Sequence, residues 1–193
     1  MTAIGLDADT VRLAYCGITD GSVAGVGTIE RLPKSGEIPE RYDLVLAVLM
    51  KRAAALDATI YLEGIWLPQD RSRANVQGFR ALAEVQGEIL AMARWSGARV
   101  QVVQPTVWQS KVLGITRGRT EIKKAAQRIA TGLTKRVLSE HESDAVCLAM
   151  YGHGLEAGNN GTIIPFPKQD TCVQSSLLTP DDLKITMRES EAQ

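Results

Sequence analysis

Four side chains have the types and settings to hold a divalent metal ion. Asp7 stands inside the apolar run "AIGLDADTVRLAYCGI" (residues 3–18), and Glu63 ends the β-rich run "ATIYLEG" (58–64). His141 and Asp144 lie in the first turns of a helical stretch, "LSEHESDAVCLAM" (138–150). A carboxylate in an apolar strand is costly to bury unpaired, so Asp7 needs a cation, a partner or a chemical task. His141 and Asp144, three residues apart, share one helix face. Offered together to two strand acids, they make a donor set suited to a divalent ion, hard oxygens with one imidazole. Their neighbours Glu140 and Glu142 have a simpler explanation: Ser139 is a plausible N-cap, and acids in the first turn suit the helix dipole. Glu140, four residues before Asp144, could stand in for His141.

A second pattern is charge segregation, hidden by a formal net charge of zero. Between Pro105 and Arg136 stand Lys111, Arg117, Arg119, Lys123, Lys124, Arg128, Lys135 and Arg136 against Glu121 alone. Acids predominate from Val137 onward. A basic block beside carboxylates offers cations to phosphates and acids to a metal, although a solvated helix face has the same composition.

These residues must be positioned by a small set of elements. Ile4, Leu6, Val11, Leu13, Tyr15 and Ile18 around Asp7-Ala8-Asp9-Thr10 predict a β-hairpin with a tight turn, and "VAGVGTIE" (23–30) a third strand. "RYDLVLAVLMKRAAAL" (41–56) has helical spacing, and residues 58–64 form a strand. A long helix is expected from about Ser72 to Ser96, stopped by Gly97. A strand over 99–105 closes at Pro105, followed by a short helix over 106–113, the loop "GITRGRT", a helix over 120–131 and a last helix over 139–155. Three antiparallel strands followed by alternating helices and strands predict an α/β domain with a mixed sheet. Residues 156–193, rich in turn-formers, are expected to be a partly ordered tail to a domain of residues 1–155.

The order of acids resembles the RNase H-like fold, and in detail the RuvC-type Holliday-junction resolvases. The likeness rests on "AIGLDADTVRLAYCGI" with Asp7 as the strand-1 acid and "IYLEGIW" with Glu63 and Trp66. It continues through "ALAEVQGEILAM" with a mid-helix Gly87, "VVQPTVWQSKVLGITRGRTEIKKAAQ", and "HESDAVCLAM" with His141 and Asp144. It covers about residues 3–154 and is nearest to the bacteriophage members. The resemblance implies a five-stranded mixed sheet flanked by helices, a three-strand meander plus two further strands. It implies Asp7, Glu63, His141 and Asp144 as catalytic metal ligands for two Mg²⁺ ions, with Mn²⁺ as a substitute, and paired hydrolysis of four-way DNA junctions. Phosphates would be tracked by Lys111, Arg117, Arg119, Lys123 and Lys124, with Arg71 and Arg73 beside Trp66, whose indole would stack at the junction centre. A homodimer joined through the long helix is implied as well. One departure is Asp9, where the family usually has Gly; it serves as a turn residue or as an auxiliary metal or water ligand.

Other classes fit less well. An actin-like sugar kinase or ATPase also begins with an acid-bearing hairpin, but needs two such domains and Gly-rich phosphate loops absent from this sequence. A non-catalytic junction-binding module has no reason to keep acids in its sheet. A related nuclease acting on other branched DNA or RNA-containing substrates stays open. No apolar run approaches the roughly 20 residues of a membrane span, and the first residues lack signal-peptide character. Cys16, Cys147 and Cys172 lack metal-site spacing and read as reduced thiols, consistent with a cytoplasmic protein.

Overall fold

Strand β1 (Thr2–Ala8) explains how the hairpin accommodates an acid. Its side chains alternate between faces. Ile4 and Leu6 enter a cluster with Leu13, Leu46, Leu49, Met50, Ile60, Leu62, Val85 and Ile89. Ala3 enters the opposite cluster, with Cys16, Ile18, Tyr61, Trp108 and the residues around Val146. Residues 3, 5 and 7 therefore share the second face, where the side chains are small until the carboxylate of Asp7.

A computed structural model describes residues 1–30, 40–65 and 76–158. β1 is followed by β2 (Arg12–Thr19), β3 (Ser22–Glu30), helix α1 (Glu40–Ala55), β4 (Thr59–Glu63), helix α2 (Val76–Ser96) and β5 (Arg99–Val103). Helix α3 (Pro105–Trp108) runs into a π turn (Gln109–Leu113), and helices α4 (Arg119–Thr134) and α5 (Glu140–Glu156) complete the chain's described elements. The sheet order is β3-β2-β1-β4-β5. β1 and β2 pair antiparallel with Asp7 opposite Ala14, β2 and β3 likewise, and β4 runs parallel to both β1 and β5. This is the α/β mixed sheet with an antiparallel meander expected from sequence. Among the described residues no helix is long and apolar enough to cross a membrane.

The two faces carry different helices. α1 and α2 cover the Ile4–Leu6 side, while α5 lies on the other side, against β1, with α4 beside it. α5 can approach because position 5 is glycine: a Cβ there would lie 2.9 Å from Leu148 Cβ and closer still to the Ala145 carbonyl oxygen and Ala149 amide nitrogen. Farther along α5, Gly152 sits against the ring of Tyr61 on β4.

Local signals set several boundaries. Ser139 caps α5 in a reciprocal capping box with Glu142, as its position suggested. Pro105 occupies the first turn of α3, and Gly114, in left-handed conformation at φ 69°, ends the π turn. β5 stops at Val103, two residues short of the expected end. α2 is described from Val76, so the expected start near Ser72 lies outside the described residues. So do Trp66, Arg71, Arg73, Cys172 and the tail from residue 159 on.

Candidate metal centre and nucleic-acid face

The parallel register of β1 and β4 brings two acids to the same end of the sheet. Leu6 is level with Leu62, so Asp7 and Glu63 come one residue later on adjacent strands. Glu63 shares the α5 face with Tyr61 by strand alternation. α5, seated on Gly5, lays its first turns over that end. Asp7 is buried at 7% exposure, and His141 Nδ1 lies 2.7 Å from its Oδ2. Asp144 is half-buried beside them and feels the charges of Asp7, Glu140 and His141. All four residues singled out by type and spacing thus meet.

Their electrostatics betray mutual repulsion. Burial, then the charges of Asp7 and Asp144, push Glu63 up to about 9; a hydrogen bond from Trp108 opposes the shift and one with Asp7 adds to it. Burial and the charge of Asp7 lift Asp144 to about 7, Glu140 adding to the effect while His141 and Lys123 oppose it. His141 is raised chiefly by its hydrogen bond to Asp7, against burial, with the charges of Asp7 and Asp9 helping. Acids shifted this far at the end of a sheet mark a site that lacks positive charge.

Two further side chains touch this set of four. Trp108, 1% exposed in the core at the α3–π turn junction, donates its indole N–H to Glu63 Oε1 at 3.2 Å. The partners are 45 residues apart, and a tryptophan following a strand reads as ordinary core. Asp9 is the other. Its Oδ1 accepts from the amides of Val11 (2.6 Å) and Arg12 (2.7 Å), closing the hairpin turn, while its Oδ2 lies 3.2 Å from His141 Nε2. Asp9 closes the turn without left-handed backbone geometry: among the described residues, those other than glycine with positive φ are Asp20, Asp57 and Lys135.

Among the described residues no group of three or more His, Cys, Asp or Glu side chains is arranged to hold a metal ion. The donor chemistry still fits a hard divalent cation. Three carboxylates and an imidazole converge, and the two raised acids are those that added positive charge would return toward ordinary values. Mg²⁺ keeps several waters and takes only one or two carboxylates from a typical site, so a closed protein cage is not required.

The basic block reaches this end of the molecule through Lys123. Lys111, Arg117, Arg119 and Lys124 are exposed on the π turn, the following loop and α4. Lys123 is half-buried and paired with Glu140 of α5, so its charge also reaches Asp144.

The fold has counterparts among solved structures. T. thermophilus RuvC in complex with a Holliday junction substrate aligns over 82% of this chain and 97% of its own, at 13% identity and a TM-score of 0.58. The Thermus thermophilus RuvC structure gives 82% and 98% coverage, 15% identity and the same TM-score. The fold is that of RuvC. The RNase H-like architecture expected from the order of acids is therefore present. A ROK hexokinase from Thermus thermophilus aligns at 20% identity over 58% of this chain and 38% of its own, with a TM-score of 0.33, too low to bear on the reading. No protein-family model and no curated protein matches the sequence.

Proposed function

We propose that this protein is a Mg²⁺-dependent endodeoxyribonuclease that resolves four-way and related branched DNA junctions by paired phosphodiester hydrolysis. One observation carries the reading. A buried carboxylate on the central strand of a RuvC fold, Asp7, is met at the same sheet end by Glu63, Asp144 and His141. The junction enters from RuvC, whose structure holds a Holliday junction.

Asp7, Glu63, Asp144 and His141 are the residues that would hold the metal. Divalent ions bound there, Mg²⁺ or Mn²⁺ and two per site, supply a Lewis acid that activates water and stabilises the leaving oxygen of a phosphodiester. Burial first, and then the charge of Asp7, raises the proton affinity of Glu63 and Asp144, and a cation held there would favour their charged forms. Trp108 fixes one oxygen of Glu63 by donating its indole N–H to it. Lys111, Arg117, Arg119 and Lys124 bind phosphates and set the strand's register, carrying little sequence information themselves. Trp66, by stacking on an unpaired base, and Arg71 and Arg73, on the phosphates beside it, complete the DNA surface in this reading.

Paired nicks in a near two-fold substrate require two such sites, and hence a homodimer. α2 is the candidate interface. Ile89, Val85 and Ala93 are committed to its own sheet, Phe79 and Leu82 are half-buried, and Val76 is exposed. The reading places the protein in the cytoplasm, in keeping with the free thiols of Cys16 and Cys147.

The deciding experiment offers a synthetic four-way junction, a linear duplex of the same sequence and an RNA–DNA hybrid to the protein in Mg²⁺. Symmetrically nicked junction, with duplex and hybrid spared, is the expected result. Cleavage of the hybrid in preference to the junction moves the assignment to the RNA-directed nucleases. No cleavage of any of the three in Mg²⁺ or Mn²⁺ overturns the enzymatic reading.

A further inference from the structure

We infer that Asp9 is a positioning residue of the metal centre, holding the outer nitrogen of His141 so that the inner nitrogen stays beside Asp7. The inference rests on the nuclease reading in taking His141 as a ligand, and it adds a residue at a position where the resembling family has glycine.

The two oxygens of Asp9 have separate tasks. Oδ1 closes the turn by accepting from Val11 and Arg12 at 2.6 and 2.7 Å, and the Asp9 amide donates to the Arg12 carbonyl at 2.9 Å. Both of these amide bonds fall on Oδ1. Oδ2 instead faces His141 Nε2 at 3.2 Å, while Nδ1 of the same ring lies 2.7 Å from Asp7 Oδ2. Arg12 Nε, at 3.9 Å from Asp9 Oδ2, is the more distant partner.

A neutral imidazole carries one N–H and one lone pair. At 2.7 Å from a carboxylate, which only accepts, Nδ1 must donate; an ion held beside Asp7 would have to replace that proton, leaving the ring's remaining N–H on Nε2, where Asp9 is the acceptor. An outer carboxylate of this kind fixes both the tautomer and the ring plane of a ligating histidine and raises its basicity. The turn thereby ties the β1–β2 hairpin to α5 through the ring itself. His141 stands in the first turn of α5, where Asp7 alone would otherwise hold its ring.

Asp9→Asn separates the two tasks. The amide oxygen can keep both turn hydrogen bonds, while the amide nitrogen, a donor, replaces the acceptor facing His141. Mn²⁺ binding to the full-length chain without DNA, followed by the electron paramagnetic resonance signal of free Mn²⁺, is the readout. Asp9→Asn is expected to weaken Mn²⁺ binding about tenfold or more, with the metal-free melting temperature nearly unchanged and cleavage recovering as Mn²⁺ is raised. In a His141→Ala background, adding Asp9→Asn should change Mn²⁺ affinity no further. Unchanged affinity in Asp9→Asn overturns the inference. So does a full Asp9→Asn effect in the His141→Ala background, which makes Asp9 a ligand in its own right. If Asp9→Asn melts early, Asp9→Ser, which keeps an acceptor for the turn, is measured against the same outcomes. A wild-type chain that binds no Mn²⁺ overturns the metal-centre reading and this inference together, and the wild-type trace alone identifies that case.

Discussion

Replacing Gly5 with alanine tests whether the site depends on how closely α5 lies on β1. The added methyl would stand 2.9 Å from Leu148 Cβ and nearer to two backbone atoms, the Ala145 carbonyl oxygen and the Ala149 amide nitrogen. Comfortable separations start at about 3.5 Å, so the helix must lift by roughly 1 Å. Backbone atoms cannot rotate away as a flexible side chain can, which puts the cost at the upper end of overpacking, about 3 kcal/mol. For a chain of this size that lowers the melting temperature by about 6–12 °C. The same lift moves His141 and Asp144 away from Asp7 and Glu63, and a displacement near 1 Å costs about a hundredfold in rate. Thermal melting and initial cleavage rates of a synthetic junction, measured well below the melting point, read the two effects separately. Gly132→Ala in α4 is the control: nothing lies within 4 Å of its Cβ position, so it should be neutral or stabilise by up to about 1 kcal/mol. If Gly5→Ala melts and cleaves like wild type, α5 does not sit where its backbone is drawn and the geometric argument fails.

Other outcomes follow from the site. Without divalent ions, Glu63, Asp144 and His141 all have raised folded-state pKa values, so their contribution favours the fold at low pH and is lost as pH rises through about 7 for Asp144 and about 9 for Glu63. Melting in EDTA should therefore fall from pH 6 to pH 9 and be restored by Mg²⁺; a profile indifferent to both contradicts the electrostatic reading. Trp108→Phe keeps the ring but removes the N–H on Glu63 Oε1, a loss of about 1.5–3 kcal/mol if that carboxylate is charged, and should raise the Mg²⁺ concentration for half-maximal cleavage about tenfold or more. Asp7→Asn, Glu63→Gln and Asp144→Asn should each abolish cleavage with junction binding retained, and wild-type rates in any one remove it from the ligand set. Arg119→Ala and Lys124→Ala should each reduce the salt slope of junction binding by about one, whereas unchanged slopes would mark a merely solvated surface. Trp66→Ala should slow junction cleavage about tenfold through lost stacking, and a sharp fall in melting temperature with normal cleavage would assign that indole to the core instead.

The parts legible in the sequence are those with local causes. The alternation of Ile4 and Leu6 with smaller residues marked β1 and placed Asp7 on one face, and Ser139 with Glu142 marked the start of α5. Asp7, Glu63, His141 and Asp144 were conspicuous because acids and a histidine in apolar elements need a reason. What escaped was decided by tertiary contact. The link from Trp108 to Glu63 spans 45 residues and could not be read from spacing. The second oxygen of Asp9 has a partner only because α5 folds back over the first hairpin. The π turn after Trp108 left no mark either, since a helix that widens for five residues has the composition of one that does not.

The contact between Asp7 and His141 spans 134 residues, and this orders events during synthesis. At roughly 5–20 residues per second, a ribosome delivers the histidine on the order of ten seconds after the aspartate. In that interval the meander can pair, but the face carrying Ala3, Cys16, Ile18 and Tyr61 has no α5 to cover it. The nascent chain is thus exposed to aggregation and chaperone capture while it cannot yet assemble its candidate metal centre. A chain severed before Ser139 loses two of its four acid and histidine donors together with the helix that roofs half the core, so proteolysis there should extinguish activity and solubility at once.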